Sequence, residues 1–247
     1  MSIEMHTTLK TVPSSPLRLS LNIETVDILF PCFSLNDFAV LCGSSAVQSI
    51  INLLCVRAQL PFQLGGLESN VLFVDGSNSF RLYDISSIAQ SFELDPKHVL
   101  ERIFISRAFT AHQMTDLILE QLENATTTYD TKIVILANPA QLYMDKDIPK
   151  QESHEIFLQL THYLADFAKR HQVILIATHH PHYYSKNYYS KKSSFFNQVL
   201  CTRADIVASI KKINKRPQFI LEKHTSFDLG KAELPSPEPT LVDFLEA

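Results

Sequence analysis

Short runs of valine, isoleucine and leucine alternate along this chain with stretches whose apolar residues recur every three or four positions. The continuous runs are typical of strands that are covered on both faces of a sheet. They occupy residues 38–42, 70–75, 102–109, 132–137, 172–178 and 205–212. The spacing of the other stretches predicts amphipathic helices at residues 45–60, 81–92, 111–125 and 153–171. This alternation predicts an α/β domain with a mostly parallel central sheet flanked by helices.

The two ends of the chain differ from its middle. Residues 1–16 contain Thr-Thr, Ser-Ser and two prolines, which is typical of a flexible segment. Residues 205–224 have the pattern of an antiparallel ribbon with a basic turn at 214–217. We therefore expect a flexible segment at 1–16, one domain over 17–228 and a disordered, acidic, proline-rich tail over 229–247. The apolar residues among the acids at 240–247 fit either an inert end or a segment that folds on a partner.

Composition narrows the class of protein. The 247 residues are 45% hydrophobic, yet no run approaches the roughly 18 apolar residues of a membrane span, and residues 1–16 lack the apolar core of a secretory signal. The cysteines Cys32, Cys42, Cys55 and Cys201 form no C-x-x-C pair. We expect reduced, buried thiols rather than a zinc site or disulfides. The chain is therefore expected to be intracellular, without a membrane partner.

Charge is unevenly distributed. The formal net charge is −4, but residues 178–223 contain nine basic residues against two acidic ones. The remainder of the chain is therefore clearly acidic, and any attraction for a polyanion is confined to this basic region.

A block of motifs at residues 70–118 resembles a known family. An apolar strand ends in Asp75, Phe80-Arg81 opens a helix, "LDPKHVLERI" follows at 94–103, and Arg107-Ala108 precedes "HQM" at 112–114. This combination resembles the recombinases of the archaeal RadA and eukaryotic strand-exchange type, and it is far more specific than one short motif. The resemblance extends over roughly residues 21–226. It implies a RecA-like, P-loop-type core with an antiparallel C-terminal ribbon.

Two parts of the full-length recombinases have no counterpart here. We expect the chain to lack the family's small helical N-terminal domain, and residues 1–20 contain no convincing Phe-x-x-Ala polymerisation motif. Accessory members of the family commonly work in complexes with other paralogues, so we expect a RadA-type recombinase or another paralogue as a partner.

The phosphate-binding loop is degenerate. In a P-loop, glycines let backbone N–H groups close around phosphate, a lysine reaches the β and γ phosphates, and a Ser/Thr hydroxyl holds Mg²⁺. Gly43 and Ser44 match the family's loop, whereas Ser45, Ala46 and Val47 stand where the next glycine, the lysine and the Ser/Thr are expected. The loop therefore lacks side chains for charge or metal.

The metal-binding and water-orienting positions are also substituted. Where the resemblance implies the Walker B aspartate, the chain has Ala137 followed by Asn138, and Ser77 matches the glutamate that orients the attacking water. Phosphoryl transfer depends on positioning and on neutralising developing charge. We therefore expect no ATP hydrolysis, no catalytic residue and no cofactor. Weak nucleotide binding through the backbone at 43–45 stays open as an alternative.

The segment after the strand at 172–178 corresponds to the family's second DNA-binding loop. It interleaves aromatic and basic residues without an acidic one. Bases stack on aromatic rings and lysines neutralise phosphates, so this composition favours single-stranded DNA; contact with a protein is the alternative. The candidate residues are Tyr183, Tyr184, Lys186, Tyr188, Tyr189, Lys191 and Lys192, with Phe195 and Phe196 adjoining and Arg203 in support.

Three other groups of residues are candidate sites: a histidine cluster, two arginines and the basic turn of the ribbon. His179, His180 and His182 lack the spacing and carboxylate of a metal site, so we expect no metal. The resemblance places His179 and His180 where the family has a γ-phosphate sensor. For Arg81 and Arg107 we expect a salt bridge or a helix-capping role. The basic turn of the ribbon is expected to be a solvated edge, or else an extension of a DNA track.

These expectations lead to one hypothesis and two rivals. The hypothesis is a non-catalytic paralogue of the RadA-type recombinases, an accessory in homologous recombination or DNA repair that binds single-stranded DNA, a recombinase partner, or both. It would act in the cytoplasm or nucleoid of a prokaryote, or in the nucleus of a eukaryote. The rivals are a RecA-fold interaction or regulatory module that binds no DNA, and a residual ATPase with an unusual site.

Overall fold

The structure, a computed structural model, describes residues 17–43, 45–180, 189–214 and 216–235, with residues 45 and 189–192 described by their backbone alone. Its helices are α1 (Glu24–Leu29), α2 (Ser45–Arg57), α3 (Leu82–Ser91), α4 (Pro96–Glu101), α5 (Ala111–Asp116), α6 (Leu122–Thr128), α7 (Lys150–His171) and α8 (Tyr189–Arg203). A π-helical turn joins α5 to α6, and 3₁₀ turns occupy Phe62–Leu64 and Pro139–Met144. Its strands are β1 (Arg18–Leu19), β2 (Phe33–Ser34), β3 (Phe38–Gly43), β4 (Asn70–Asp75), β5 (Ile103–Arg107), β6 (Thr131–Ala137), β7 (Ile174–His179), β8 (Ile206–Ile213), β9 (Arg216–Lys223) and β10 (Gly230–Glu233).

The central sheet is mixed. Within the described residues it has eight strands in the order β10-β9-β8-β3-β7-β6-β4-β5, and β1 pairs with β2 in a separate small ribbon. Strands β3 to β8 run parallel to their neighbours, while β8, β9 and β10 are joined antiparallel. This is the expected RecA-like α/β architecture with its antiparallel C-terminal ribbon, so the predicted fold class is confirmed.

Both faces of the sheet are buried, which explains the continuous apolar runs. Along β3, Ala39 and Leu41 pack into one apolar cluster, while Phe38 and Val40 pack into the other. The first cluster includes residues of α2, α3 and α4, and the second includes residues of α5, α7 and α8. A strand between two helical layers must be apolar at every position, because consecutive side chains point to opposite faces.

Local signals fix the ends of several helices. Asp95 caps α4 by accepting a hydrogen bond from the N–H of Lys97 at 3.1 Å, and Pro96 occupies the first turn. Thr110 caps α5 in the same way through the N–H of Gln113 at 3.2 Å. The long α7 ends at Gln172, which adopts a left-handed conformation (φ 52°).

The predicted domain limits need one correction. Residues 230–233 form β10, which pairs with β9, so the sheet continues past the boundary expected at residue 228. The composition of 229–247 hid this strand because its alternating small and charged side chains carry little apolar signal. The segments 1–16 and 236–247, expected to be flexible, lie outside the described residues. Within the described part of the chain, no helix is long and apolar enough to cross a membrane.

Candidate functional site

The carboxyl ends of β3, β7 and β6 lie side by side in the middle of the sheet. Cys42 of β3 is paired in register with His179 of β7, and Leu136 of β6 with Ala177 of β7. In open α/β sheets, ligands bind at this edge, where loops and helix N-termini converge. Gly43, Ala137 and the two histidines therefore lie at one edge of the sheet.

The connection from β3 to α2 is short. Strand β3 ends at Gly43 and helix α2 begins at Ser45, whereas the pattern G-x-x-x-x-G-K-[ST] wraps a longer loop around the phosphates. Ser44, between them, lies outside the described residues. Ala46 is half-buried in the first turn of α2, and Val47 is fully buried in the core. The Val47 side chain thus contributes to packing and not to the surface of the site.

Gly43 is required by packing. Its φ is +150°, and a Cβ atom there would lie 2.4 Å from the carbonyl oxygen of Ile210 on β8. A side chain cannot be accommodated against backbone at that distance. The glycine therefore has a structural reason to be present that is independent of phosphate.

Ala137 and Asn138, at the end of β6, are buried and hydrogen-bonded to neighbouring residues. Ala137 is buried, and its carbonyl accepts a hydrogen bond from the N–H of Gly76 at 3.0 Å. Asn138 is also buried and left-handed (φ 49°); its backbone N–H donates to Oγ1 of Thr178 at 2.9 Å, and its Nδ2 donates to Oε1 of Gln141 at 2.8 Å. Neither side chain carries a charge for a metal ion.

His179 and His180 are neutral at neutral pH. Burial, with a smaller contribution from the neighbouring His180, lowers the pKa of His179 to about 4. Burial also lowers the pKa of His180. Nδ1 of His180 lies 2.8 Å from the carbonyl oxygen of Gly43, so this nitrogen carries the proton. Nε2 of His179 lies 3.2 Å from Oγ of Ser193 on α8. The histidines thus tie β7 to β3 and α8. His182 lies outside the described residues.

Asp75 ends β4 as a buried, well-satisfied carboxylate. Its oxygens accept hydrogen bonds from the N–H groups of Ser77 (3.1 Å), Ser79 (3.0 Å) and Phe80 (3.1 Å) and from the Ser79 hydroxyl. Arg107 lies beside it, which confirms the salt bridge expected for that residue. Arg81 stands at the N-cap of α3 without a side-chain cap hydrogen bond.

The segment predicted to bind DNA is described only in part. Tyr183, Tyr184, Lys186 and Tyr188 lie outside the described residues. Tyr189, Lys191 and Lys192 fall in the first turn of α8, and Arg203 is exposed in its last turn. A helix therefore begins at residue 189, within the segment for which the sequence predicted a loop.

The interpretation of the two adjoining phenylalanines as stacking residues needs correction. Phe196 is fully buried and packs edge-on against Phe157 with 4.8 Å between ring centroids. Phe195 is half-buried and stacks on His154 at 3.7 Å. Their spacing in a helix brings both onto the face that packs against α7, so they contribute to folding and are not free to stack on bases.

The basic turn of the ribbon is partly neutralised. Lys211 forms a 2.9 Å ion pair with Glu222, and Arg216 forms a 3.2 Å ion pair with Glu233. Lys212 is exposed, and Lys215 lies outside the described residues. Two basic side chains of this turn are therefore exposed and ion-paired, as expected for a solvated edge. An extension of a DNA track stays a prediction.

Comparison with known proteins agrees with this geometry. The family model described as Rad51 matches residues 41–180, more than half of the chain. The chain belongs to the Rad51 family. It is 32% identical over 95 residues to the meiotic recombination protein DMC1 of Saccharomyces cerevisiae, which is 38% of this chain and 27% of that protein. It is 34% identical over 95 residues to the meiotic recombination protein DLH1 of Candida albicans, 38% of this chain and 28% of that protein.

The match therefore spans about a quarter of the length of these curated relatives. It confirms the resemblance proposed from the motifs at residues 70–118.

One surface of this Rad51-family chain was missed by the sequence interpretation. Strand β5 lies at the edge of the sheet and, among the described strands, pairs with β4 alone. Ile105 in β5 is 41% exposed and Phe109 just after it is 71% exposed, while Leu82 and Tyr83 at the start of α3 are exposed by 47% and 86%. Leu82 and Tyr83 follow β4 and Phe109 follows β5, and Asp75 pairs in register with Arg107 at the ends of these two strands. An edge strand flanked by exposed apolar groups is a template for strand addition by another chain.

Proposed function

We propose that this chain is a non-catalytic accessory of homologous recombination or DNA repair, which binds a Rad51-family recombinase without turning over ATP. The observation that carries the proposal is the composition of the central strand ends. Among the described residues that end β3, β6 and β7, no side chain is charged at neutral pH.

The loss of charge matters because of what phosphoryl transfer needs. A cation at the β and γ phosphates and a carboxylate that holds Mg²⁺ supply most of the transition-state stabilisation. Here a buried valine, a buried alanine and two neutral histidines occupy those regions. Asp75, the nearby carboxylate, has its oxygens occupied by Ser77, Ser79, Phe80 and Arg107.

The exposed edge of β5 supports the proposal that a protein partner binds this chain. Exposed apolar patches flanked by polar residues mark interaction sites in soluble proteins, and an open strand edge adds main-chain hydrogen bonds to the contact. We propose that the recombinase partner adds a strand to β5 and packs apolar side chains against Phe109 and Tyr83.

The composition of 183–192 supports single-stranded DNA as a second ligand. The Tyr and Lys residues there precede or open α8, next to the carboxyl end of β7. A basic, aromatic segment at this edge would track a single strand by stacking and charge neutralisation.

Hydrolysis is tested by measuring phosphate release from Mg²⁺-ATP, with and without single-stranded DNA, beside a catalytically active Rad51-family recombinase. We expect no release above buffer. Release that follows the chain through purification and falls in His180→Ala would favour the residual ATPase instead.

Partner binding is tested by calorimetry with the Rad51-family recombinase of the same organism. Tyr83→Glu and Phe109→Glu should each weaken binding by about tenfold or more, because they place a charge in an apolar contact. Ile28→Glu is the matched control, because Ile28 is 81% exposed on α1, which packs near β10 at the opposite edge. Equal affinity of all three variants would exclude β5 as the docking edge.

DNA binding is tested by fluorescence anisotropy of labelled single-stranded and duplex oligonucleotides at two salt concentrations. Tyr184→Ala/Lys191→Ala/Lys192→Ala should weaken single-strand binding, and binding should be salt-sensitive and independent of ATP. The matched control is Tyr83→Ala/Lys97→Ala/Lys231→Ala, which removes the same residue types from exposed positions on α3, α4 and β10. Absence of binding at low salt would favour the interaction module that binds no DNA.

A further inference from the structure

Two of the four cysteines come together although they are far apart in sequence. Cys42 lies in β3 one residue before Gly43, and Cys201 lies in the last turn of α8. The Oδ1 atom of Asn197 is 3.3 Å from Sγ of Cys42 and 3.5 Å from Sγ of Cys201. Both thiols are half-buried against the second apolar cluster, so they share one small environment between the sheet and α8.

The two thiols interact directly and unequally. Because both Sγ atoms lie close to the same Asn197 oxygen, the interaction between the two thiols raises the pKa of Cys42 and lowers the pKa of Cys201. Burial opposes the thiolate at both positions. The neighbouring Lys223 favours the Cys201 thiolate, while Glu222 disfavours it. Cys201 is therefore the more nucleophilic partner, because the thiolate is the reactive form of cysteine.

Solvent access also differs between the two thiols and again favours reaction at Cys201. Cys201 lines an open groove of about 450 Å³, together with Asn197, Glu222 and Lys223. The groove admits a small oxidant to Cys201, and Cys42 is not among its lining residues. In contrast, Cys32 and Cys55 are buried, and burial raises the pKa of each. The reactive cysteine thus faces solvent with a second thiol behind it.

We propose that Cys201 and Cys42 form a peroxide-sensitive pair, in which a hydroperoxide oxidises Cys201 and Cys42 resolves the product into an intramolecular disulfide. The Cys201 thiolate attacks one peroxide oxygen, the O–O bond breaks, and Cys201 becomes a sulfenic acid while the other oxygen leaves as water after protonation. The Cys42 sulfur then attacks the Cys201 sulfur, the S–O bond breaks, and a second water leaves. In total, two thiols and one hydrogen peroxide give one disulfide and two waters.

The consequence is a covalent link between β3 and α8. Helix α8 follows the segment proposed to bind DNA, and β3 leads into the degenerate phosphate loop. Oxidation therefore fixes the helix that carries the candidate DNA-binding residues to the central strand of the sheet.

The experiment treats the full-length chain with hydrogen peroxide, blocks free thiols with N-ethylmaleimide under denaturing conditions, and analyses a non-reducing digest by mass spectrometry. We expect a dithiothreitol-sensitive peptide pair that joins Cys42 to Cys201, with Cys32 and Cys55 carrying the maleimide. The Cys32→Ser/Cys55→Ser variant should give the same pair.

A second measurement separates the two roles. In Cys42→Ser, the sulfenic acid on Cys201 should persist and be trapped by dimedone, whereas in Cys201→Ser the remaining Cys42 should give no dimedone adduct. Three results overturn the proposal: oxidation of Cys201 in the wild-type chain without a linked peptide, a disulfide that joins other cysteines, or no oxidation of Cys201 at a peroxide dose that oxidises glutathione.

Discussion

Nε of Arg107 lies 3.8 Å from Oδ2 of Asp75, at a position where β4 and β5 are paired in register. The carboxylate is fully buried, whereas the arginine side chain is 44% exposed. Because Ser77, Ser79 and Phe80 donate hydrogen bonds to Asp75, the aspartate organises the turn after β4, and the arginine contributes a screened charge at the edge of the sheet.

This pair predicts unequal effects of substitution. Arg107→Met should lower the free energy of unfolding by no more than about 1 kcal/mol, as for an exposed ion pair. Asp75→Asn should lower it by about 3 kcal/mol, because the NH₂ group that replaces one carboxylate oxygen cannot accept a hydrogen bond and faces a backbone N–H donor instead. Urea denaturation followed by circular dichroism measures both. Equal losses would contradict the central role given to Asp75.

Gly43 is predicted to tolerate no side chain. In Gly43→Ala, the new Cβ would collide with the carbonyl oxygen of Ile210 at a backbone conformation that alanine rarely adopts. Strain and overpacking together should lower the free energy of unfolding by about 3 kcal/mol or more. Ser49→Ala, on the exposed side of α2, should change it by less than about 0.5 kcal/mol. Thermal denaturation of both variants checks this, and an unperturbed Gly43→Ala would refute the close approach of β3 to β8.

Phe196 is predicted to be a core residue. Phe196→Ala should lower the free energy of unfolding by about 3–5 kcal/mol, because it leaves a cavity among Tyr143, Phe157 and His154. Phe195→Ala should lower the free energy of unfolding by a smaller amount, because Phe195 is only half-buried. Chemical denaturation gives the two values. A stable Phe196→Ala variant with weakened DNA binding would restore the earlier interpretation of Phe196 as a stacking residue.

The free energy of unfolding is predicted to fall in mild acid because His179 is protonated more readily in the unfolded chain. The pKa of His179 is lowered to about 4 in the folded chain, against about 6.5 in an unfolded one, so the unfolded state binds the extra proton first as pH falls. Between about pH 6.5 and pH 4 this removes up to about 3 kcal/mol of stability. The pKa of Asp37 is raised to about 6 by burial and acts in the opposite direction over the same range.

The comparison that isolates His179 is therefore between the wild type and His179→Gln. The free energy of unfolding, measured from pH 4 to pH 7, should rise less steeply with pH in the variant. Parallel curves for the two proteins would show that the pKa of His179 is the same in the folded and unfolded chain, which would contradict this prediction.

Local sequence determined the parallel strands of the sheet, several of its helices and the family. The apolar runs at β3, β4, β6 and β7 predicted strands within one or two residues of their observed ends, because a strand buried on both faces needs apolar side chains at every position. The Asp75, Phe80-Arg81 and Arg107-Ala108 motifs identified the family because they are local in the chain.

Tertiary structure alone decided what depends on distant contacts. The edge position of β5 among the described strands arises from its place at the end of the strand order, which a linear pattern does not specify. The buried state of Phe196 depends on α7 packing against α8, and β10 forms because β9 offers it an edge. Cys42 and Cys201 meet because β3 and α8 are brought together by the fold, and no spacing in the sequence signals a contact between residues so far apart.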